Sequence, residues 1–226
     1  MKNFLGKKIL VVTAHPDDES YMLAGSLIKN HQSGGENFII CATFGERGSS
    51  HLKKPVTPSQ LKKIRRHELL KVSKFLKVDK LVTLGLPDGG VKNYRGIFTK
   101  KITAAIKALH PDVVIGYGPD GISGHLDHIA AGVAGRQAAR KAKIPFLAFS
   151  LPPNLAAEAE SLFLARRKKG KYKALVLSYE PSLKITVDGQ AKFKALAMHK
   201  SQHDGEPFSD FPPALKRKWL SAEYFA

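Results

Sequence analysis

Short, nearly continuous apolar runs alternate with longer amphipathic segments through the first two-thirds of the chain. The runs cover residues 8–13, 38–44, 80–84, 113–117 and 145–150. Strand-like runs separated by helical patterns are the signature of βαβ units, so the sequence predicts an α/β protein with a Rossmann-like, mostly parallel sheet flanked by helices. Gly34-Gly35 marks the end of one helix, and a helix over residues 58–76 has a clear start, with Thr57 as N-cap and Pro58 at the first helical position. After about Ser150 the pattern loosens into a helical segment at 155–167, strand-like runs at 174–179 and 183–187, and a final helix at 191–202. No internal repeat or low-complexity linker interrupts it. The expectation is one domain over residues 1–226, with a core at 1–150 completed by an extension at 151–226.

Composition narrows the function. Apolar residues make up 43% and charged residues 25% of the 226 positions, as in ordinary globular proteins, and no apolar stretch has the length of a membrane span. The N-terminal apolar run enters charged sequence without a small-residue cleavage site, which reads as a first strand of a cytoplasmic protein. The single cysteine, Cys41, excludes an internal disulfide framework and a cysteine-rich zinc centre, so a bound metal needs His and carboxylate ligands. The 37 Lys and Arg against 19 Asp and Glu give a formal charge of +18, a field that favours anionic partners and at most peripheral membrane contact. One basic cluster, Arg166 to Lys173, lacks the stacking aromatics and base-reading motifs of specific nucleic-acid recognition.

In open sheets of this kind ligands bind beyond the carboxyl ends of the strands. Ala14-His15-Pro16-Asp17-Asp18-Glu19 directly follows the first predicted strand. The rigid proline lets His15 and Asp18 aim at a common point while Asp17 projects differently. An acidic helix N-terminus, with Asp17 or Asp18 as cap, accounts for the same residues. Gly124-His125-Leu126-Asp127-His128 follows the fourth strand and opens a helix expected from Ile129. Two histidines and an acid entering one site supply a metal ligand, an electrophile and a carboxylate to fix an imidazole tautomer. Two His and one carboxylate with open positions suit catalytic zinc, and equally non-haem iron(II) or another divalent metal.

At these motifs the sequence resembles the PIG-L/LmbE-like N-acetylglucosaminyl deacetylases, with AHPDDE after the first strand and GPDGISGHLDH after the fourth. The resemblance runs on to the HKSQ segment at His199 to Gln202. It implies that His15, Asp18 and His128 hold zinc, that Asp17 is the catalytic base, and that His125 steadies the oxyanion with Asp127 orienting and charging it. The reaction implied is hydrolysis of the acetamide of an N-acetylglucosamine-type sugar or conjugate, releasing acetate and a free amine. The class often assembles into homo-oligomers.

Helix periodicity adds Arg65 and Glu68, which interrupt the stripe of Leu61, Val72 and Leu76 on the helix from Pro58. They suit an i,i+3 ion pair at the helix rim; in the family's terms Arg65 reaches the substrate and Glu68 holds it. Asp88, in Leu86-Pro87-Asp88-Gly89, resembles the family's sugar-hydroxyl acceptor and equally forms a Pro-Asp-Gly turn. His199 matches an HxSQ pattern at a helix end, where histidines are commonly structural or solvated. Ser123 stands where some family members carry a tyrosine. The rivals are an amidase acting on a thiol-sugar conjugate and a non-catalytic basic protein that binds an anionic glycan or lipid. A nucleotide-binding Rossmann protein is disfavoured, because the first strand lacks the Gly-x-Gly-x-x-Gly turn. The positive charge points to an anionic substrate or carrier.

Overall fold

A computed structural model of the chain describes residues 3–165, 180–203, 207–209 and 211–226. Five parallel strands appear where the apolar runs lie: β1 (Lys8–Thr13), β2 (Glu36–Cys41), β3 (Lys80–Thr83), β4 (Val113–Tyr117) and β5 (Phe146–Ser150). Two further strands, β6 (Leu183–Thr186) and β7 (Ala222–Phe225), are antiparallel to each other, and β7 also pairs antiparallel with β5. The seven-stranded order is β3-β2-β1-β4-β5-β7-β6. β1 and β4 are central, and their apolar side chains are buried, which is why they read as unbroken runs rather than alternation. Helices α1 (Asp18–Gln32), α2 (Pro58–Phe75), α3 (Arg95–Leu109) and α4 (Leu126–Ala142) link these strands; α5 (Pro153–Ala165), α6 (Gly189–Ala197), α7 (Lys200–His203) and α8 (Pro213–Ser221) follow.

Several boundaries depart from the sequence reading. The strand expected at 38–44 ends at Cys41, because beyond it the chain turns through Gly45 (φ +64°) and its polar groups serve the site. α4 begins at Leu126 rather than Ile129, so Asp127 and His128 lie in its first turn and His125 is its N-cap. The helix expected at 191–202 is two, α6 and α7, separated by Met198-His199. The strand-like run at 174–179 and the basic cluster Arg166 to Lys173 lie outside the described residues. α8 and β7 carry no strong sequence signal: β7 is four residues long and includes the charged Glu223.

The local chemistry explains the main elements. α2 starts on a capping box: Thr57 accepts from the Gln60 N–H and the Gln60 side chain accepts from the Thr57 N–H, with Pro58 following. α4 packs closely on β4 because Gly132 faces it; a Cβ there would sit 2.3 Å from the Tyr117 carbonyl oxygen. α1 is broken at Leu23 (φ −153°), and just beyond the break the N–H groups of Gly25 and Ser26 donate to the Glu223 carboxylate at 3.1 and 2.7 Å. Glu223 also pairs with the buried Lys192 of α6 at 3.2 Å, tying the last strand to the first helix.

Candidate active site

The strand order reverses between β1 and β4, which are neighbours in the sheet although α1, β2, α2, β3 and α3 separate them in sequence. That switch point leaves a crevice beyond the carboxyl ends of the strands. His15 to Asp18 leave β1 into it and Gly118 to His128 leave β4, while the loops after β2 and β3 bring Gly45 to Ser49 and Asp88. The resulting cleft of about 560 Å³ is lined by every residue expected at the site except Asp127. Tyr21, Arg47, Ser49 and Gln202 line it too; Arg47 and Ser49 lie in the loop after the second strand and Gln202 in the HKSQ segment, and the sequence assigns none of the four a role.

Three donor atoms converge at its floor. His15 Nδ1 lies 3.2 Å from His128 Nε2, and Asp18 Oδ1 lies 3.3 Å from His128 Nε2 and 4.0 Å from His15 Nδ1. The remaining atoms of each side chain are already engaged. Asp18 Oδ2 accepts from the N–H groups of Ala14 and His15 at 2.8 and 2.9 Å. His128 Nδ1 donates to the Gly121 carbonyl at 3.0 Å, and its ring stacks on Tyr117 with centroids 4.2 Å apart and planes at 8°. His15 Nε2 faces Asp88 Oδ1 at 3.1 Å and Asp127 Oδ2 at 3.3 Å. With those protons committed outward, two imidazole lone pairs and a carboxylate oxygen face one another, an arrangement that needs a positive charge between them. Burial opposes the charged form of His15, but the hydrogen bonds that Asp127 and Asp88 accept from its ring outweigh it and raise its pKa to about 10, so the cluster favours a cation. For Asp18, burial works in the other direction, yet the neighbouring His128 and His15 hold its carboxyl well below the usual range. The set His15, Asp18 and His128 therefore has the chemistry of a divalent-cation site. His15 with His125 and His128, and His15 with Asp88 and Asp127, also bring three donor atoms together.

Asp17 sits at the N-cap position of α1, but its side chain caps nothing; the backbone is left-handed (φ 104°, ψ −25°). Its N–H donates to Glu19 Oε2 at 3.0 Å, and its carboxylate meets Arg65 Nη2 at 3.2 Å. Burial raises the Asp17 pKa to about 6, against the pull of Arg65 and with a push from Asp18. Arg65 is buried on α2 and donates from Nη1 to the Gly45 carbonyl at 3.0 Å and from Nη2 to the Pro16 carbonyl. Gly45 makes room for it, since a Cβ there would meet Nη1 at 2.3 Å.

Two expected pairings are not formed. Glu68 does not hold Arg65; it accepts from the N–H and Oγ of Ser201 at 2.8 and 2.7 Å, because the HKSQ segment packs over α2 and satisfies it first. The Asp127 carboxylate does not orient His125: its oxygens accept from the N–H groups of Gly89 (2.7 Å) and Val91 (3.0 Å) and face His15, because the first turn of α4 aims it at the loop after β3. Asp127 acts on His125 through its backbone, whose N–H donates to His125 Nδ1 at 3.2 Å. Burial and the nearby His15 and His128 lower the His125 pKa. Asp88 fulfils the turn reading, with Gly90 N–H on the Pro87 carbonyl at 3.1 Å, and also binds the Arg47 N–H at 2.8 Å. Of the two readings of His199, structural or solvated, the structure fits the first: it is fully buried, with Nε2 2.8 Å from Glu19 Oε1.

Fold and site together define a Rossmann-like α/β protein with a His/Asp donor cluster at the switch point of its sheet. The chain belongs to the PIG-L family, described as GlcNAc-PI de-N-acetylase, which it matches over residues 10–139. It is 33% identical over 136 residues, 59% of either chain, to a probable N-acetyl-alpha-D-glucosaminyl L-malate deacetylase 2 of Bacillus anthracis. It is 28% identical over 196 residues to a 1D-myo-inositol 2-acetamido-2-deoxy-alpha-D-glucopyranoside deacetylase of Corynebacterium diphtheriae, covering 77% of this chain and 67% of that one. The match thus spans about three-fifths to two-thirds of these relatives' lengths. In fold the chain is similar to N,N'-diacetylchitobiose deacetylase from Pyrococcus horikoshii, with a TM-score of 0.66 and 23% identity over 97% of this chain and 83% of that one.

Proposed function

We propose that the chain is a metal-dependent hydrolase that removes the acetyl group from an N-acetylglucosamine-type sugar or conjugate. One observation carries this reading: three lone pairs, from His15, Asp18 and His128, converge in a cleft whose wall also bears a carboxylate with its pKa raised to about 6. A pure binding site has no use for that base. His15, Asp18 and His128 are the metal ligands in this account, and zinc suits them, as does iron(II). A divalent ion held there supplies a Lewis acid for the acetamide carbonyl and lowers the pKa of water.

The protein's own groups divide the remaining work. Asp17, poised near neutral pH, takes a proton from the attacking water as its oxygen adds to the carbonyl carbon. Arg65 fixes Asp17 and shapes the floor of the cleft. His125 accepts a hydrogen bond at Nδ1 from the Asp127 N–H, so as a neutral ring it carries its proton on Nε2 and donates it as a hydrogen bond to the developing oxyanion. Asp127 and Asp88 hold His15 in the tautomer that leaves Nδ1 free. Asp88, on the cleft wall, also accepts from a sugar hydroxyl. When the C–N bond breaks, Asp17 returns the proton to the amine nitrogen, and acetate and the amino sugar leave. A cleft of about 560 Å³ has room for a sugar with a small aglycone.

Acetate release from N-acetylglucosaminides by metal-stripped and zinc-reloaded protein tests the reading. Zinc-dependent release supports it. Release that is independent of any divalent metal, or absent while the amide of a thiol-sugar conjugate is cleaved to its thiol-bearing carboxylic acid and the amino sugar, assigns the site elsewhere.

A further inference from the structure

Two guanidinium groups line the cleft, and they are in opposite states. Arg65 is buried, and both of its terminal nitrogens are bonded to backbone carbonyls and to Asp17. Arg47 is exposed at the mouth, and among the described residues its guanidinium forms neither an ion pair nor a hydrogen bond. Its backbone nevertheless fixes its place: the Arg47 N–H donates to Asp88 Oδ2 at 2.8 Å, and the Gly48 N–H donates to the Gly45 carbonyl at 3.1 Å. The side chain lies across Gly89, where a Cβ would be 3.1 Å from Arg47 Nη1. A cation without a counter-ion is thereby set beside the candidate catalytic cluster.

The rest of the wall sorts by charge. The inner part carries Asp17 and Asp18, which repel an anion, whereas Ser49 and Gln202 at the mouth are neutral. The two acids beside Arg47 are engaged elsewhere: Asp88 accepts from the Arg47 N–H and faces His15, and Glu46 Oε1 accepts from the Asp88 N–H. Gln202 Nε2 donates to the Ser49 carbonyl at 3.3 Å and to Ser201 Oγ at 3.2 Å, closing that side of the rim. A negative group on the substrate gains only at this outer end, and the protein's net charge of +18 favours its approach.

We propose that Arg47 forms an oxyanion subsite for the aglycone, so that the preferred substrate is an N-acetylglucosaminide bearing a carboxylate or phosphate next to the sugar. The subsite rests on the deacetylase reading above. A guanidinium fork binds either group through two parallel hydrogen bonds, and a neutral polyol offers it no charge to pair with. Of the two curated relatives described, one is named for a malate conjugate and the other for an inositol conjugate, which are an anionic and a neutral aglycone. Arg47 places this chain with the anionic class.

The test compares zinc-loaded wild-type protein with Arg47→Gln on three N-acetylglucosaminides whose aglycones are a dicarboxylate, a phosphate and a neutral polyol. Binding of each is also measured calorimetrically in an Asp17→Asn background, with and without Arg47→Gln. The expected result is a fall of about ten- to a hundredfold in the ratio of kcat/KM for anionic over neutral substrates, lodged in KM, as for loss of a charged hydrogen-bonding partner. Whichever anion shows the larger fall is the group the subsite reads. Acetate release from all three with an unchanged ratio overturns the subsite and leaves the deacetylase standing. No turnover of any of them, with binding of an anionic compound that weakens on Arg47→Gln, overturns the deacetylase reading and supports the subsite. Equal binding of all three, insensitive to Arg47→Gln, overturns the subsite.

Discussion

Asp17 occupies a left-handed backbone conformation (φ 104°) that costs a non-glycine residue about 1–3 kcal/mol. The surroundings hold it there: Arg65 grips its carboxylate and the Pro16 carbonyl, and Glu19, itself braced by His199 and Ser20, takes its N–H. Such strain is maintained where it aims a side chain at the chemistry. Asp17→Asn tolerates the same backbone but cannot take a proton, so kcat should fall by about 10²–10⁴-fold while metal content is retained. In the proposed reaction Asp17 works in its ionised form, and because burial raises its pKa to about 6, activity should fall as the pH drops through that acid limb. A divalent cation nearby moves that limb below 6. Arg65→Gln removes a cation that lowers the Asp17 pKa, and the pH–rate profile should then show the limb displaced upward. At this scale the sequence was legible in which residues the fold brings together: the motifs after β1 and β4 single out His15, Asp18 and His128, whose facing atoms lie 3.2–4.0 Å apart. It was not legible where partners come from distant loops: nothing local in Glu68 points to Ser201, and nothing local in Asp127 points to the Gly89 and Val91 N–H groups.

The elements that position these residues depend on close contacts at two places. α4 delivers His125, Asp127 and His128, and lies against β4 through Gly132, so Gly132→Ala forces the helix off the Tyr117 carbonyl. Overpacking of this kind should destabilise the protein by about 1–3 kcal/mol in denaturant unfolding and weaken metal binding through His128. α1 is braced at its break by Glu223, which also neutralises the buried Lys192. Glu223→Ala strands that lysine and frees two N–H groups, with an expected loss of about 3–5 kcal/mol measured the same way. β1, β2, β4 and β5 were readable because largely buried strands give continuous apolar runs, whereas β3, half-buried at the sheet edge, shows only a short one. β7 and α8 were not, because β7 is short, lies between β5 and β6 in the sheet, and carries Glu223, whose partners belong to α1 and α6.

For the molecule as a whole, the sheet order β3-β2-β1-β4-β5 sets the position of the site before any side chain is considered, since β1 and β4 part at the switch point and each delivers one motif. The alternation of runs and helices foretold that placement, whereas the antiparallel β7-β6 edge depends on pairings between residues far apart in sequence. Among the described residues, no helix is long and apolar enough to cross a membrane. If His15, Asp18 and His128 bind a divalent ion in the folded state alone, zinc at a hundred times its Kd should stabilise the protein by about 2.7 kcal/mol, a gain that His15→Ala abolishes. The central claim concerns the pairing of that metal cluster with Asp17. The decisive measurement is acetate release from an N-acetylglucosaminide by zinc-reloaded wild-type and Asp17→Asn protein carrying equal metal. The account predicts release by the wild type and loss of about 10²-fold or more in the variant; equal release by both, or none by either at full metal occupancy, would contradict it.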